Sequence, residues 1–438
     1  MNHIVCLLFV VISFQLFGQD SITISLSHYP QPDFLQLDTN LKTKYPFIHF
    51  EKNQFQFFTD TSENWNRLFH QMDSMIALKD RKLNFYHIGG SHLQADIYTH
   101  DVRTKLQTTW DSLPGERGFL FPFNLAKTNN PANYEFSSGN KWKAYRSVTQ
   151  NKCELDFGLL GAVITSSDSC IIIHFQHNRT EVKPKTSQIK IFHNKGALPF
   201  LVDFPQLNNY IFDQSTDTLL GITSVSFTQE IDSFDIQFSR KTAIPAELQL
   251  SGFELINKQP GISYTSIGVN GAGLYTYLDC GNFGEQLRQA PPNFFAFSVG
   301  TNDGNVPYDA FKPEQYKANL EQMMKIVYDA NPNCAILLTV PNDSYYQRKY
   351  LNRNIARERD MIIELAKQYQ VPIWDMYGIM GELGSSKQWQ LAGLMQGDKV
   401  HFTGTGYHLK GSLFFDAFEK WLKQMNYLEN QKKGDFKN

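Results

Sequence analysis

Between about residues 130 and 260 the chain loses helical period, and this break constrains the architecture most. Short alternating segments recur there: Ala162-Val-Ile-Thr, Cys170-Ile-Ile-Ile-His-Phe, Ser187-Gln-Ile-Lys-Ile-Phe, Ser224-Val-Ser-Phe, Phe234-Asp-Ile-Gln-Phe and Glu247-Leu-Gln-Leu. Turn residues separate them, and period-two alternation is the mark of a half-buried strand, so the region is predicted to be a β-sandwich. On either side, strands alternate with helices. Lys82 to Ile88 reads as a strand ending at Gly89-Gly90, and Leu93 to Trp110 as a helix. Further on come strands Phe294–Val299, Ala335–Val340 and Val371–Trp374, and helices Pro313–Asp329, Asn352–Tyr369 and Tyr407–Gln424. Such alternation implies a parallel sheet with helices on both faces. The expected fold is therefore α/β, interrupted by an inserted β domain.

The N-terminal part is different again. Residues from about 20 to 60 read as irregular or extended, with Pro30, Pro32 and Pro46 breaking any helix. Thr61 or Ser62 is placed to cap a helix whose apolar residues Trp65, Leu68, Met72 and Ile76 recur three to four apart. Ile4 to Phe14 is an apolar run of signal-peptide length, too short for a membrane span, with a cut expected at Gly18–Gln19. Export is the expectation. No later stretch reaches about eighteen uninterrupted apolar residues, so no membrane span is expected in the mature chain.

Charge narrows the partners. With 41 Lys+Arg against 43 Asp+Glu, neither nucleic acid nor an anionic membrane is expected as the main partner. Thirty-five Phe and 20 Tyr suit core packing first and a carbohydrate-facing surface second. Cys6 leaves with the leader. The remaining Cys153, Cys170, Cys280 and Cys334 permit disulfides in an exported chain, with Cys153 and Cys170 the best candidate pair because they flank a predicted hairpin. No cysteine or histidine spacing suggests zinc, and neither a metal nor an organic cofactor is expected.

Four short segments carry the chemistry. Ser91, in His87-Ile-Gly-Gly-Ser91-His92, sits where a strand turns into a helix, a geometry that exposes a nucleophile. Near the C-terminus, Asp398 and His401 are three apart, a spacing that lets a carboxylate hold Nδ1–H while Nε2 faces a serine. Asn302, in Gly300-Thr-Asn302-Asp303, offers an amide donor that does not titrate. Gly271, in Gly268-Val-Asn-Gly271, offers a backbone N–H where a side chain would obstruct substrate. Taken singly, these residues read as readily as a helix cap, turn residues and a solvated loop. His408 is the competing base, but it lies inside the predicted last helix without a carboxylate at comparable spacing. His87 and His92 are too close in sequence to Ser91 to reach its hydroxyl from the correct side.

In this order the four segments resemble the SGNH (GDSL-type) hydrolase superfamily, over roughly 82–125 and 262–428. The resemblance implies a three-layer, flavodoxin-like hydrolase domain with Ser91 as nucleophile and Asp398 and His401 completing the triad. It makes the Ser91 amide, Gly271 and Asn302 the oxyanion donors. One departure stands out: Gly90 occupies the place where the family usually has Asp. The sequel Ser91-His-Leu-Gln94-Ala-Asp96 resembles a subgroup with an extended Ser-His-x-Gln-x-Asp start. The expected organisation is a leader at 1–18, an extension with one helix at 19–81, a hydrolase domain at 82–128 and 262–428, an inserted β-sandwich at 129–261, and a polar tail at 429–438.

An exported hydrolase of this type with such an insertion resembles peptidoglycan O-acetylesterases, whose inserted module is carbohydrate-binding-like. The expected function is therefore removal of O-acetyl groups from a cell-envelope or extracellular glycan, peptidoglycan favoured. An esterase, lipase or acyltransferase for other acyl esters is the alternative within enzymes. A glycan-binding protein with a decayed hydrolase domain is the alternative outside them, kept open by Gly90.

Overall fold

The computed structural model describes residues 37–435 apart from 38, 60–61, 112, 150–154, 156 and 179–182. The expected leader and Cys153, half of the candidate disulfide, lie outside the described residues.

The strands Gly261–Gly268, Lys82–Gly89, Phe294–Ser298, Ala335–Val340 and Ile373–Asp375 lie side by side in that order and run parallel. In chain order this is 2-1-3-4-5, the flavodoxin-like arrangement, which places a ligand crevice at the carboxyl ends where strands 1 and 3 diverge. Each strand is buried on both faces, and alternate side chains feed two helical layers. Phe294 and Ala296 pack with Leu83 and Phe85 beneath helices Glu63–Leu78, Tyr98–Thr108 and Gly404–Asp435. Phe295 and Phe297 pack with Tyr86 and Ile88 beneath helices Pro313–Ala330 and Asn354–Tyr369. The α/β expectation, with helices on both faces, holds.

Between the first and second strands the chain builds two antiparallel sheets, one of seven strands and one of four. Cys170–His177 shows why: Ile171, Ile173 and Phe175 are buried while Cys170 and Ile172 are exposed, a one-sided pattern that closes on a facing sheet. Gly118–Leu120 leads into this region and Leu248–Ile256 leads out, and the two pair antiparallel, Phe253 opposite Leu120. Entry and exit are thus tied together beside the sheet they interrupt.

Three expectations need correcting. The segment before residue 60 is not devoid of helix: Thr39–Lys44 is helical, and Phe55–Gln56 adds an antiparallel edge strand beside Ile373–Asp375. Ser62 occupies the N-cap position of Glu63–Leu78, but its hydroxyl donates to the Gln370 carbonyl at 2.8 Å and caps nothing. The single helix expected over Leu93–Trp110 is two, Ser91–Gln94 and Tyr98–Thr108. The break falls at Asp96, whose backbone is left-handed at φ 50°.

Asp96 explains the break. Its carboxylate, 2% exposed, accepts from Arg103 at 2.5 Å, Arg117 at 2.9 Å, Asn133 at 2.8 Å and Thr99 at 2.6 Å. Burial alone would raise its pKa, but Arg103 and Arg117 outweigh that and hold it well below the ordinary aspartate range. Removing the carboxylate leaves two buried guanidinium groups without their counter-charge, a change that costs ~3–5 kcal/mol in comparable buried pairs. Asp96→Ala is expected to lose stability of about that size in urea unfolding. Because the folded pKa is depressed, the contribution is present above about pH 4 and fades only as acid is added below it. A loss under about 1 kcal/mol would show that the cluster is not what fixes this turn.

Candidate active site

Ser91 heads a short helix directly after the strand Lys82–Gly89. A residue at that position has a backbone N–H with no intrahelical acceptor. Two loops converge on it. Its hydroxyl lies 2.8 Å from His401 Nε2, and His401 Nδ1 lies 2.7 Å from Asp398 Oδ2. Asp398 Oδ1 accepts from the Val400 and His401 amides at 2.9 and 3.0 Å, so the carboxylate is fixed by the same turn that presents the imidazole. Burial pushes the Asp398 carboxyl up, but hydrogen bonds from the His401 ring and these two amides outweigh it and leave it below its ordinary value. An Nδ1–H held by an ionised carboxylate leaves Nε2 to accept a proton from the serine.

Gly271 and Asn302 line the same cleft, whose volume is about 650 Å³, together with Ser91 and His401. Gly271 adopts φ 87°, open to L-residues only at a cost, and nothing lies within 4 Å of where its Cβ would be. Conformation and access, rather than crowding, explain this glycine. Asn302 Nδ2 donates one hydrogen bond to the Ala272 carbonyl at 2.8 Å, which ties the two loops to each other. All five residues singled out in the sequence therefore meet in one place.

Residues 244–409 match the GDSL-like lipase/acylhydrolase family. That match, with the relay described above, makes the chain an ester-hydrolysing enzyme. The matched residues hold Gly271, Asn302, Asp398 and His401 but not Ser91, which the inserted sheets separate from them in sequence. No curated protein matches the chain. Among solved structures, one titled as a peptidoglycan O-acetylesterase in action is 18% identical and superposes with a TM-score of 0.69, covering 84% of this chain and 99% of that one. A lipase/acylhydrolase from Enterococcus faecalis is 18% identical over 36% of this chain and 75% of its own, with a TM-score of 0.28. An acetylxylan esterase from Geobacillus stearothermophilus is 17% identical over 37% and 73%, with a TM-score of 0.28.

The GDSL-like domain accommodates Gly90 for a visible reason. A Cβ at this position would lie 2.7 Å from Asn302 Nδ2 and 3.2 Å from the Ala272 carbonyl, where the Asn302 amide now sits. Without a side chain at residue 90, the nucleophile turn packs directly against the Asn302 amide.

Gln94 performs a task that its place in the sequence only hinted at. Its Oε1 accepts from the Asn270 amide at 2.7 Å, while Nε2 donates to the Asn129 carbonyl at 2.7 Å and to Thr128 Oγ1 at 3.1 Å. One side chain, three residues after Ser91, thus holds the turn that carries Gly271. Asp303, beside Asn302, faces away from the cleft: it accepts from the Leu274 amide at 3.0 Å, and burial lifts its carboxyl to about 7.

The other histidines are accounted for. His87 lies between the Tyr264 and Ser298 hydroxyls at 2.8 and 2.7 Å, and burial lowers its pKa to about 3. His92 contacts the Tyr407 hydroxyl at 2.9 Å, and its ring lies 5.3 Å from that of His401. His408 does have a carboxylate partner, supplied by another helix: Asp101 at 2.7 Å. It does not line the cleft. Among the described residues no group of three or more His, Cys, Asp or Glu is placed to hold a metal ion.

Gly90→Ala tests the packing. The new methyl group is expected to push the Asn302 amide off its position and to lower kcat on p-nitrophenyl acetate by about 10- to 100-fold, less than the roughly 100- to 1000-fold seen when an oxyanion donor is removed outright. Circular dichroism should be unchanged. Wild-type turnover would mean that the Asn302 amide is not needed there.

Proposed function

We propose that this chain is an exported serine carboxylesterase that removes O-acetyl groups from a cell-envelope glycan, most readily peptidoglycan. The observation that carries the reading is the unbroken relay from Asp398 through His401 to Ser91, opening on a cleft shared with Gly271 and Asn302. His401 accepts the Ser91 proton as Oγ attacks the acetyl carbonyl. The Ser91 and Gly271 amides and the Asn302 side chain stabilise the tetrahedral oxyanion. His401 then protonates the departing sugar oxygen, which leaves as the free hydroxyl, and water, deprotonated by the same imidazole, releases acetate from the acetyl-enzyme.

The likeness to the peptidoglycan O-acetylesterase structure, which extends over nearly all of that chain, supports the substrate class at the level of fold. Export rests on the apolar run from Ile4 to Phe14. No helix among the described residues is long and apolar enough to cross a membrane. Glycan binding by the inserted sheets rests on the same architectural likeness.

Acetate release from O-acetylated peptidoglycan is expected to exceed release from acetylated xylan. Ser91→Ala is expected to abolish both, with a fall in kcat of about 10⁴-fold or more. Fluorophosphonate should label the wild type at Ser91. Unlabelled protein that still binds peptidoglycan would instead establish a decayed hydrolase. Acetyl transfer to a second sugar in preference to water would establish an acyltransferase.

A further inference from the structure

The cleft carries a cation that the ester chemistry does not use. Tyr345–Tyr346 and Tyr350–Leu351 form a small antiparallel hairpin on its rim. The tip is a tight turn closed by the Lys349 amide donating to the Tyr346 carbonyl at 3.1 Å. Its two central residues, Gln347 and Arg348, have φ of 50° and 61°, positions that Asn and Gly fill by default. Side chains kept in such conformations are concentrated at functional sites.

The hairpin is also fastened to both loops of the proposed machinery. The Tyr345 amide donates to the Lys399 carbonyl at 3.2 Å, inside the turn that carries Asp398 and His401. The Gln347 amide donates to Asn305 Oδ1 at 3.4 Å, three residues after Asn302. The backbone of Arg348 is therefore held at a fixed place relative to Ser91.

Charge points the same way. Among the described residues no aspartate or glutamate lines the cleft, and Arg348 is the permanent cation that does. Among the described residues neither Arg348 nor its neighbours Lys349 and Lys399 have a carboxylate partner; the two lysines rest over the Tyr350 and Tyr345 rings at 5.2 and 4.8 Å. An unmatched guanidinium beside an uncharged cleft is a fork for a carboxylate.

We infer that Arg348 binds a carboxylate borne by the acetylated glycan, so that the substrate is an acidic glycan rather than a neutral one. This rests on the proposed deacetylase reading and adds the charge of the substrate to it. Two sources share that chemistry: the lactyl carboxylate of a peptide-free muramic acid residue, and the carboxylate of a uronic acid. Arg348 is a specificity residue, and Ser91, His401 and Asp398 carry the reaction without it.

The test compares kcat/KM on three acetylated oligosaccharides: peptide-free muramic acid-containing, uronic acid-containing and neutral xylan-derived. In the wild type, at least one acidic substrate is expected to exceed the neutral one. In Arg348→Ala the acidic-to-neutral ratio should fall by about tenfold or more, through KM rather than kcat, the scale of a charge-assisted hydrogen-bonded pair. Arg348→Lys should recover part of it. Whichever acidic substrate shows the larger fall names the source. Blocking its carboxylate as the methyl ester should lower the wild-type ratio equally and add nothing in Arg348→Ala. An equal loss on acidic and neutral substrates, or no loss on either acidic one, overturns the inference. Should the protein release acetate from none of them, the deacetylase reading fails separately. Calorimetric binding of the two acidic oligosaccharides to wild type and Arg348→Ala then decides the carboxylate site alone, with equal affinities counting against it.

Discussion

Everything at the cleft depends on the parallel register of three strands. Gly89 stands opposite Gly268 on one side and Ser298 on the other, so three chain segments end at the same level. The residues that follow, Ser91, Gly271 and Asn302, then emerge together although they are separated by about two hundred residues of sequence. A one-residue slip of a strand moves every side chain to the opposite face of the sheet. Here that would exchange Phe85 with Tyr86, or Phe294 with Phe295, between two helical layers packed for different side chains. The hydrophobic core thus sets the position of polar residues that contribute nothing to it.

Strand ends alone would leave three independent loops. They are joined crosswise by polar contacts that each span two segments: Gln94 to Asn270, Asn302 to Ala272, and Tyr277, whose hydroxyl donates to the Gly89 carbonyl at 2.7 Å. The absence of a side chain at residue 90 belongs to the same set, since the space it vacates is where the Asn302 amide sits. Position 90 therefore reads as a complement to Asn302.

The α/β texture, the β-rich stretch from about 130 to 260 and the five residues that converge at the cleft were legible in the sequence, because hydrophobic period and ordered motifs are local signals. What escaped was non-local. The break at Asp96 could not be seen from Leu93 to Trp110, whose periodicity continues through it; Arg117 and Asn133, which hold the break, lie 21 and 37 residues away. The partner of His408 was missed for the same reason, since Asp101 lies 307 residues from it in sequence. The hairpin at 345–351 gave no turn signal at all, its central pair being Gln-Arg where Asn-Gly would be expected. Ser62 misled in the opposite direction: the residue type and position of a cap were present, but a tertiary acceptor took the hydroxyl.

The inserted sheets are joined to the nucleophile turn as well as to the backbone that precedes it. The Asn129 carbonyl receives Gln94, and the Asn133 amide and Arg117 meet at Asp96. The Asn129 acceptor and the Asn133 donor lie at the start of the insertion, Arg117 lies just before it, and their partners lie three and five residues after Ser91. Removing the insertion would leave a buried amide and a buried carboxylate short of partners, which costs more than the loss of a surface contact. The continuous packing of Tyr86 and Ile88 with Phe119, Phe136 and Phe253 points the same way. The inserted sheets thus share polar contacts and core packing with the turn that carries Ser91.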